Sequence, residues 1–326
     1  MDLSKREAVD QKRLQVSKIS FGAAVFSGWH NPIEKEWPLQ AVTRAFELGI
    51  NAFDTSPYYN NSEEILGSIF KILKPKYPRS TYYLFTKVGR YKEDFDYSPK
   101  RVRKSVEESC NKLDTDYLDV VYCHDVEFVS ENDVKNALME LFELKKMGKI
   151  KYVGISGYPL DVLLKISQIQ YDNKQPLDII LSYSHLCLHN TRLASYFNKF
   201  RSLDVNHIIN ASPLSMGLLR EKSPPDWHPA PLELREAVNK AVKLAKNNGL
   251  NISELAIQFS FGFEKDLTST VIGFSNAKEV EESVRCWNKL RKKACFSTEK
   301  EKMVLIEIKK IMEPWINWSW SKNDYK

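Results

Sequence analysis

Asp54, Lys87, His124 and Ser156 each follow a short apolar run, and the run that carries Asp54 continues into two phenols as INAFDTSPYY at 50–59. A carboxylate at the end of a strand, with a phenol a few residues into the loop, forms one corner of an acid/base site. Each residue alone has a plain reading: an Asp capping the next helix, a solvated Lys, a structural His. Four of them at matching places in successive segments make coincidence a poor account. Together they compose a proton-transfer device with Tyr59 as donor or acceptor. A free phenol has a pKa of about 10, too high for easy transfer near neutral pH. An ammonium about 4 Å away contributes on the order of 4 kcal/mol at an effective dielectric of about 20, enough to lower that value by up to about 3 units. Lys87 is the candidate cation, and Asp54 would keep it charged and aimed. His124 would orient a hydroxyl or carbonyl oxygen beside the phenol. Tyr58 is the competing phenol, expected to be packed or wet.

These residues work together only if the elements that carry them converge, and the chain alternates strand and helix throughout. Strands are expected at 19–25, 50–54, 82–85, 117–123, 150–155, 177–181, 205–210 and 269–272. Pro38 near a first turn opens the first helix, whose apolar face is Leu39, Val42 and Phe46, with Gly49 at its end. Ser62 is the expected cap of the second, with Ile65, Leu66 and Ile69 inward. Ser98-Pro99 opens the third, with Val102, Val106, Cys110 and Leu113 on one face. Further helices are expected at 134–147, 160–169, 192–200, 232–247, 253–262 and 277–290, and 219–231 is an irregular excursion.

Eight βα steps repeating at roughly 35 residues fit a (β/α)8 TIM barrel, in which every strand C-terminus shares one rim. Strands that are apolar throughout suit a parallel sheet covered on both faces. An open doubly wound sheet would carry GxGxxG after its first strand, and Gly22-Ala23-Ala24 is not that turn. The expectation is one barrel domain over 1–326, with a core at about 19–290 and a C-terminal tail at 291–326 extending over the rim.

Composition narrows the class. The 326 residues are 43% apolar with a net charge of +6, and Lys and Arg alternate with Asp and Glu along the chain. Arg291-Lys292-Lys293, the densest basic run, is too short to imply nucleic acid. Cys110, Cys123, Cys187, Cys286 and Cys295 are odd in number and hold no CxxC, which points away from a disulfide scaffold or a metal site and towards a reducing compartment. No apolar run reaches the roughly 20 residues of a membrane span. The first twenty residues lack an apolar signal core, so a cytoplasmic protein is expected.

INAFDTSPYY, Lys87 in FTKVG, His124 in LDVVYCHD and GISG at 154–157 resemble the aldo-keto reductase superfamily over nearly the whole chain. The resemblance implies a barrel that binds a nicotinamide cofactor, with Asp54, Tyr59, Lys87 and His124 as its catalytic tetrad. Hydride would pass between cofactor and substrate carbon while Tyr59 moves the proton. INASPLSMGLL (209–219), ILSYSHLCL (180–188), HDVEFV (124–129) and the His-Pro pair at 228–229 are similar to the aldose 1-dehydrogenase branch, with its fungal D-arabinose and plant L-galactose enzymes. That implies oxidation of an aldose at C1 to its lactone, with His124 and Asp125 as substrate-binding residues.

The cofactor end departs from the members that use NADP. Where they hold the 2′-phosphate with Lys and Arg, this chain has Gly273 and Glu279, and a carboxylate repels a phosphate. NAD is therefore expected over NADP. By the same resemblance Ser156, Ser212, Leu214, Phe274, Ser275, Glu282 and Ser283 would also contact the cofactor. Three departures stand out: Gly157 in place of the usual Asn, no Gln at 177–182, and Ala211 in place of a stacking Tyr. Either the ring is held differently, by another aromatic, or the binding is looser. Trp315, Trp318 and Trp320 in the tail either pack on the barrel or close over the substrate. An NADPH-dependent carbonyl reductase and a non-catalytic regulatory barrel are the competing readings.

Overall fold

The computed structural model describes residues 14–28, 34–92, 94–293 and 298–320. Eight parallel strands close on themselves in chain order: β1 Ile19–Gly22, β2 Ala52–Asp54, β3 Tyr83–Val88, β4 Leu118–His124, β5 Ile150–Gly157, β6 Ile179–Tyr183, β7 His207–Ala211 and β8 Ser269–Gly273. Pairing of β8 with β1 seals the barrel, so the (β/α)8 reading holds and the open sheet does not. The helices are α1 Trp37–Glu47, α2 Ser62–Leu73, α3 Pro99–Lys112, α4 Glu131–Lys146, α5 Leu160–Asp172, α6 Phe197–Arg201, α7 Leu232–Asn247, α8 Ile252–Phe261, α9 Ala277–Lys293 and α10 Glu299–Ile311.

The strands are apolar on both faces because both faces are covered. In β4, Val120 and Tyr122 point into the barrel, where they meet Phe85, Ile179, Leu181 and Ile209. Val121 and Cys123 point the other way into the layer shared with Val102, Val106, Leu138 and Leu141 of the helices. This alternation is the period of two that a strand imposes.

Two local expectations give way to packing. The buried stripe of α1 is Pro38, Ala41, Val42, Ala45 and Phe46, while Leu39 lies at its edge and is 36% exposed. Ser62 does not cap α2: its hydroxyl donates to the Ala23 carbonyl (2.9 Å) and contacts the Thr55 hydroxyl (2.9 Å), tying that helix to the barrel rim. Helix α10 was not anticipated, although Thr298 and Glu301 form a capping box at its start. Cys295 lies outside the described residues.

Beyond α10 the tail lies against the loops that follow β5 and β6. The Asn317 N–H donates to the His189 carbonyl (2.7 Å) and the Asn190 amide to the Trp318 carbonyl (3.1 Å). Trp320 is buried and stacked on Tyr158 with ring centroids 4.1 Å apart. The tryptophan at the end of the described tail is thus packed against the barrel. No described helix is long and apolar enough to cross a membrane.

At the barrel end opposite the strand C-termini, Asp119 is 1% exposed and gathers three neighbours. Its carboxylate accepts from Arg79 (2.6 Å), the Leu84 N–H (2.9 Å) and Lys151 (3.0 Å). Removing the Asp119 carboxylate leaves the buried Leu84 N–H without its acceptor and costs Arg79 one of its bonds, a loss of about 1–3 kcal/mol. Asp119→Ala is expected to lower the chemical denaturation midpoint accordingly while leaving the KM of any substrate unchanged. An unaltered midpoint would contradict this placement.

Candidate active site

Parallel pairing brings the strand ends to one rim, and register fixes which side chains meet there. Asp54 ends β2 opposite Phe85, Lys87 is the penultimate residue of β3, and His124 ends β4 opposite Ser156. The Lys87 ammonium donates to Asp54 Oδ1 (2.7 Å) and to the Thr55 carbonyl (2.8 Å). It stands 4.9 Å from the centre of the Tyr59 ring, and the His124 ring meets Tyr59 edge-on at 5.8 Å. Asp54, Lys87 and His124 are each under 5% exposed. All four members expected from the sequence therefore converge.

The charge balance differs from that expectation. Burial raises the Tyr59 pKa well above the usual phenol value, the Asp54 and Asp125 carboxylates add to the rise, and the Arg90 guanidinium opposes it. The Lys87 charge is largely matched by Asp54, and so does not bring the phenol down as a lone ammonium would. Tyr59 is therefore a neutral phenol at neutral pH. Burial, with the Lys87 and Arg90 charges, holds His124 well below its usual value, so the imidazole is neutral.

The tautomer follows from Asp125 and from Ser56, which the sequence reading passed over as a turn residue. Its hydroxyl oxygen accepts the Tyr58 N–H (3.1 Å) and lies 3.1 Å from His124 Nδ1. A carboxylate oxygen only accepts, and one faces Nε2, which favours the ring proton on Nε2 and leaves Nδ1 to accept from the Ser56 hydroxyl. Nε2 is 3.5 Å from Asp125 Oδ2.

Arg90 is the largest omission of the sequence reading. Gly89 has φ +95°, and a Cβ there would lie 2.3 Å from the Tyr97 ring. Only glycine allows this turn, which follows β3 at once and precedes Arg90. Arg90 forms a buried ion pair with Asp125, donates to the Tyr58 hydroxyl (2.9 Å) and stacks on the Tyr58 ring at 3.9 Å. Tyr58 is thereby held by Arg90, and Tyr59 is the phenol beside Lys87. Tyr97 supports the same corner by donating its hydroxyl to the His124 carbonyl.

Gly157 has a similar explanation. A Cβ at that position would come within 2.5 Å of Glu127 Oε2. The carboxyl of Glu127 fills that space and accepts the Tyr158 N–H (2.9 Å) on Oε1. Burial first, and the nearby Asp125 charge second, push Glu127 up to about 8. Arg90 pairs with Asp125, so the shared proton resides on Glu127.

A cavity of about 740 Å³ opens from the tetrad and is bordered by every residue expected to contact a cofactor: Ser156, Ser212, Leu214, Gly273, Phe274, Ser275, Glu279, Glu282 and Ser283. Phe274 borders it with its ring packed in the core against Phe21. Glu279 accepts the Ser275 N–H (2.7 Å). Ala211 is paired in register with Tyr183 on the neighbouring strand, and Tyr183 lines the cavity. Arg220 and Trp227 also line it and were not foreseen. After β7 the backbone turns through left-handed Ser212, Ser215, Met216 and Gly217. His228, in the 219–231 excursion, fixes this loop by donating from Nε2 to the Ser215 carbonyl (2.9 Å).

Comparison with known proteins agrees with this arrangement. Residues 18–301 match the model of the Aldo/keto reductase family. The chain is 40% identical over 318 residues to an L-galactose dehydrogenase of Arabidopsis thaliana, covering 96% of each chain. It is 38% identical over 272 residues to a D-arabinose 1-dehydrogenase of Saccharomyces cerevisiae, covering 82% of this chain and 81% of that one. Among solved structures it resembles an aldo-keto reductase from Bacillus halodurans in its holo form, with a TM-score of 0.69, 23% identity, and coverage of 95% of this chain and 96% of that one.

Two measurements check the site. Ser56→Ala frees the His124 ring to take the other tautomer, and is expected to lower kcat about tenfold, or about 1.4 kcal/mol, with KM little changed. A KM effect alone would speak against the tautomer argument. For Glu127, the folded protein keeps a proton between the usual value of 4.5 and about 8 that the unfolded chain releases. Stability therefore falls as pH rises through that window, by up to roughly 1.4 kcal/mol per pH unit, and levels off above it. Glu127→Gln should flatten the fall in thermal midpoint between about pH 5 and pH 8, and an unaltered slope would contradict the assignment.

Proposed function

This chain belongs to the aldo/keto reductase family, and we propose that within it the protein is an NAD-dependent aldose 1-dehydrogenase, oxidising D-arabinose or a related aldose at C1 to the aldonolactone. The observation that carries this reading is the convergence of Asp54, Lys87, Tyr59 and His124 in a cavity that also reaches Glu279. Its likeness to two sugar dehydrogenases and the polar Asp125 beside His124 favour a sugar over an apolar carbonyl compound. A cytoplasmic location accords with the free Cys110, Cys123, Cys187 and Cys286.

The cavity fits a nicotinamide dinucleotide: it runs past an aromatic face, a loop of left-handed backbone and Arg220. Ser156, Tyr183, Ser212, Leu214, Gly273, Phe274, Ser275, Glu279, Glu282 and Ser283 would hold it. When bound, the oxidised cofactor would supply the two-electron acceptor. Tyr59 takes the proton of the anomeric hydroxyl as phenolate, or returns it as phenol in the reverse direction. Lys87, fixed by Asp54 and the Thr55 carbonyl, stands behind that phenol with its charge matched by Asp54. His124 donates from Nε2 to the sugar oxygen at C1, and Asp125 accepts a ring hydroxyl.

The preference for NAD rests on Glu279. Its carboxylate takes the Ser275 N–H on the cavity wall and would repel a 2′-phosphate there. Burial raises the pKa of this carboxyl, and the Ser275 N–H opposes the rise by stabilising its charged form.

The test is reduction of NAD across a panel of aldoses, with NADP in parallel and Tyr59→Phe as the inactive control. NAD should exceed NADP by at least about tenfold in kcat/KM, the equivalent of about 1.4 kcal/mol. Oxidation should quicken as pH rises and aldehyde or lactone reduction should slow, because one direction needs phenolate and the other phenol. Equal efficiency with both cofactors would refute the cofactor choice. Cofactor-loaded protein that turns over no aldose would refute the dehydrogenase and favour a regulatory barrel.

A further inference from the structure

We propose that Arg90 is a second substrate-binding residue, and that its pair with Asp125 selects neutral aldoses carrying a free hydroxyl beside the anomeric carbon. This rests on the dehydrogenase reading above and extends it to a residue and a substrate class. A guanidinium and a carboxylate less than 10% exposed are costly to desolvate, and the proton transfer through Tyr59 needs neither. Both nevertheless border the cavity next to Tyr59 and His124.

The surroundings hold Arg90 in place for a polar partner. The guanidinium lies 3.9 Å from the Tyr58 ring centre, with Phe95 at 5.4 Å and Phe128 at 5.6 Å. A backbone bridge between Arg90 and Phe95 folds the loop after β3 back on itself. Asp125 stands in left-handed backbone at φ 56°, directly after His124. Tyr59, His124, Asp125 and Arg90 thus form a continuous polar wall, with Asp125 Oδ2 shared between the reach of His124 Nε2 (3.5 Å) and Arg90.

A C1 hydroxyl held by Tyr59 and His124 directs its neighbouring hydroxyl towards that pair. A hydroxyl both donates and accepts, so it can give its proton to the carboxylate and accept from the guanidinium. An apolar aldehyde would cover this pair and take its remaining water away without returning a hydrogen bond, and a site that bonds a substrate hydroxyl discriminates against the analogue that lacks it. The two charges cancel, so a sugar phosphate or uronate gains no attraction here. The class selected is the neutral aldose with its 2-hydroxyl intact.

The experiment compares the preferred aldose with its 2-deoxy analogue in the unaltered enzyme, Arg90→Lys and Arg90→Gln. The unaltered enzyme should favour the parent sugar by about a hundredfold or more in kcat/KM, and Arg90→Gln should reduce that preference to about tenfold or less, through KM for the sugar with KM for NAD unchanged. Arg90→Lys keeps the ion pair but loses the planar fork, so it should fold normally and fall between the two. Calorimetric titration of the parent aldose into NADH-loaded Tyr59→Phe protein should show about tenfold weaker binding once Arg90→Gln is added. An equal loss for parent and analogue, or a fall in kcat with KM kept, would overturn the role of Arg90 while leaving the dehydrogenase intact. A native enzyme that oxidises no aldose would instead overturn the functional reading, and this one with it.

Discussion

A lysine ammonium 2% exposed to solvent must be matched on the spot, and the rim of this barrel is arranged around that demand. Lys87 reaches inward near the end of β3, and β2 ends in the one carboxylate that neutralises it. The pairing tolerates no slip, because a shift of one residue turns a strand side chain to the opposite face. Closure of eight strands supplies the rigidity, since every strand has hydrogen-bonded neighbours on both sides. Tyr59 is then placed by a five-residue reach from Asp54, and His124 by the next strand along.

Three carboxylates at this rim are kept in different states by what stands beside them. Asp54 is matched by Lys87 and Asp125 by Arg90, while Glu127 takes a backbone N–H and forms no ion pair among the described residues. Burial raises all three from the usual carboxylate range, the Lys87 and Arg90 charges oppose that rise at Asp54 and Asp125, and Glu127 is carried to about 8. Two cations and three acids would leave a net negative charge in a low-dielectric region. A proton on Glu127 removes it. The same arithmetic explains why burial prevails at Tyr59: the cations are already matched, so little positive charge remains to stabilise a phenolate.

Much of this was legible in the chain, and the parts that were not share a cause. The barrel could be read from eight apolar runs, because a strand covered on both faces leaves a continuous signal. Asp54, Lys87 and His124 could be read because each sits where such a run stops. The choice of Tyr59 over Tyr58 could be made by resemblance, but its physical reason could not, since it depends on Arg90, 32 residues away in sequence. Arg90 stands in a loop, where charged residues are ordinary, and only the left-handed turn at Gly89 marks it. Ser62 reads locally as a helix cap, and Ser56 lies in a Thr-Ser-Pro stretch that reads as a turn. Both hydroxyls instead bond across elements, to His124 and to the Ala23 carbonyl. Gly157 looked like a lost contact, and was in fact the space that Glu127 occupies.

The tail extends the same logic to the cavity wall. Trp320 is stacked on Tyr158 and lies edge-on to His228, with centroids 6.0 Å apart. His228 is neutral, held down to about 4 by burial, and its Nε2 proton binds the Ser215 carbonyl in the loop that borders the cavity. On its other side, Nδ1 accepts the Ala230 N–H (3.0 Å), and Arg235 grips the His228 carbonyl (2.6 Å). A run of left-handed residues carries strain that its surroundings must hold. The contacts at His228 supply that restraint, and Trp320 covers them. The C-terminal aromatics therefore act on the site through packing: they hold the loop after β7 in shape while the cavity itself is lined by Tyr183 and Trp227.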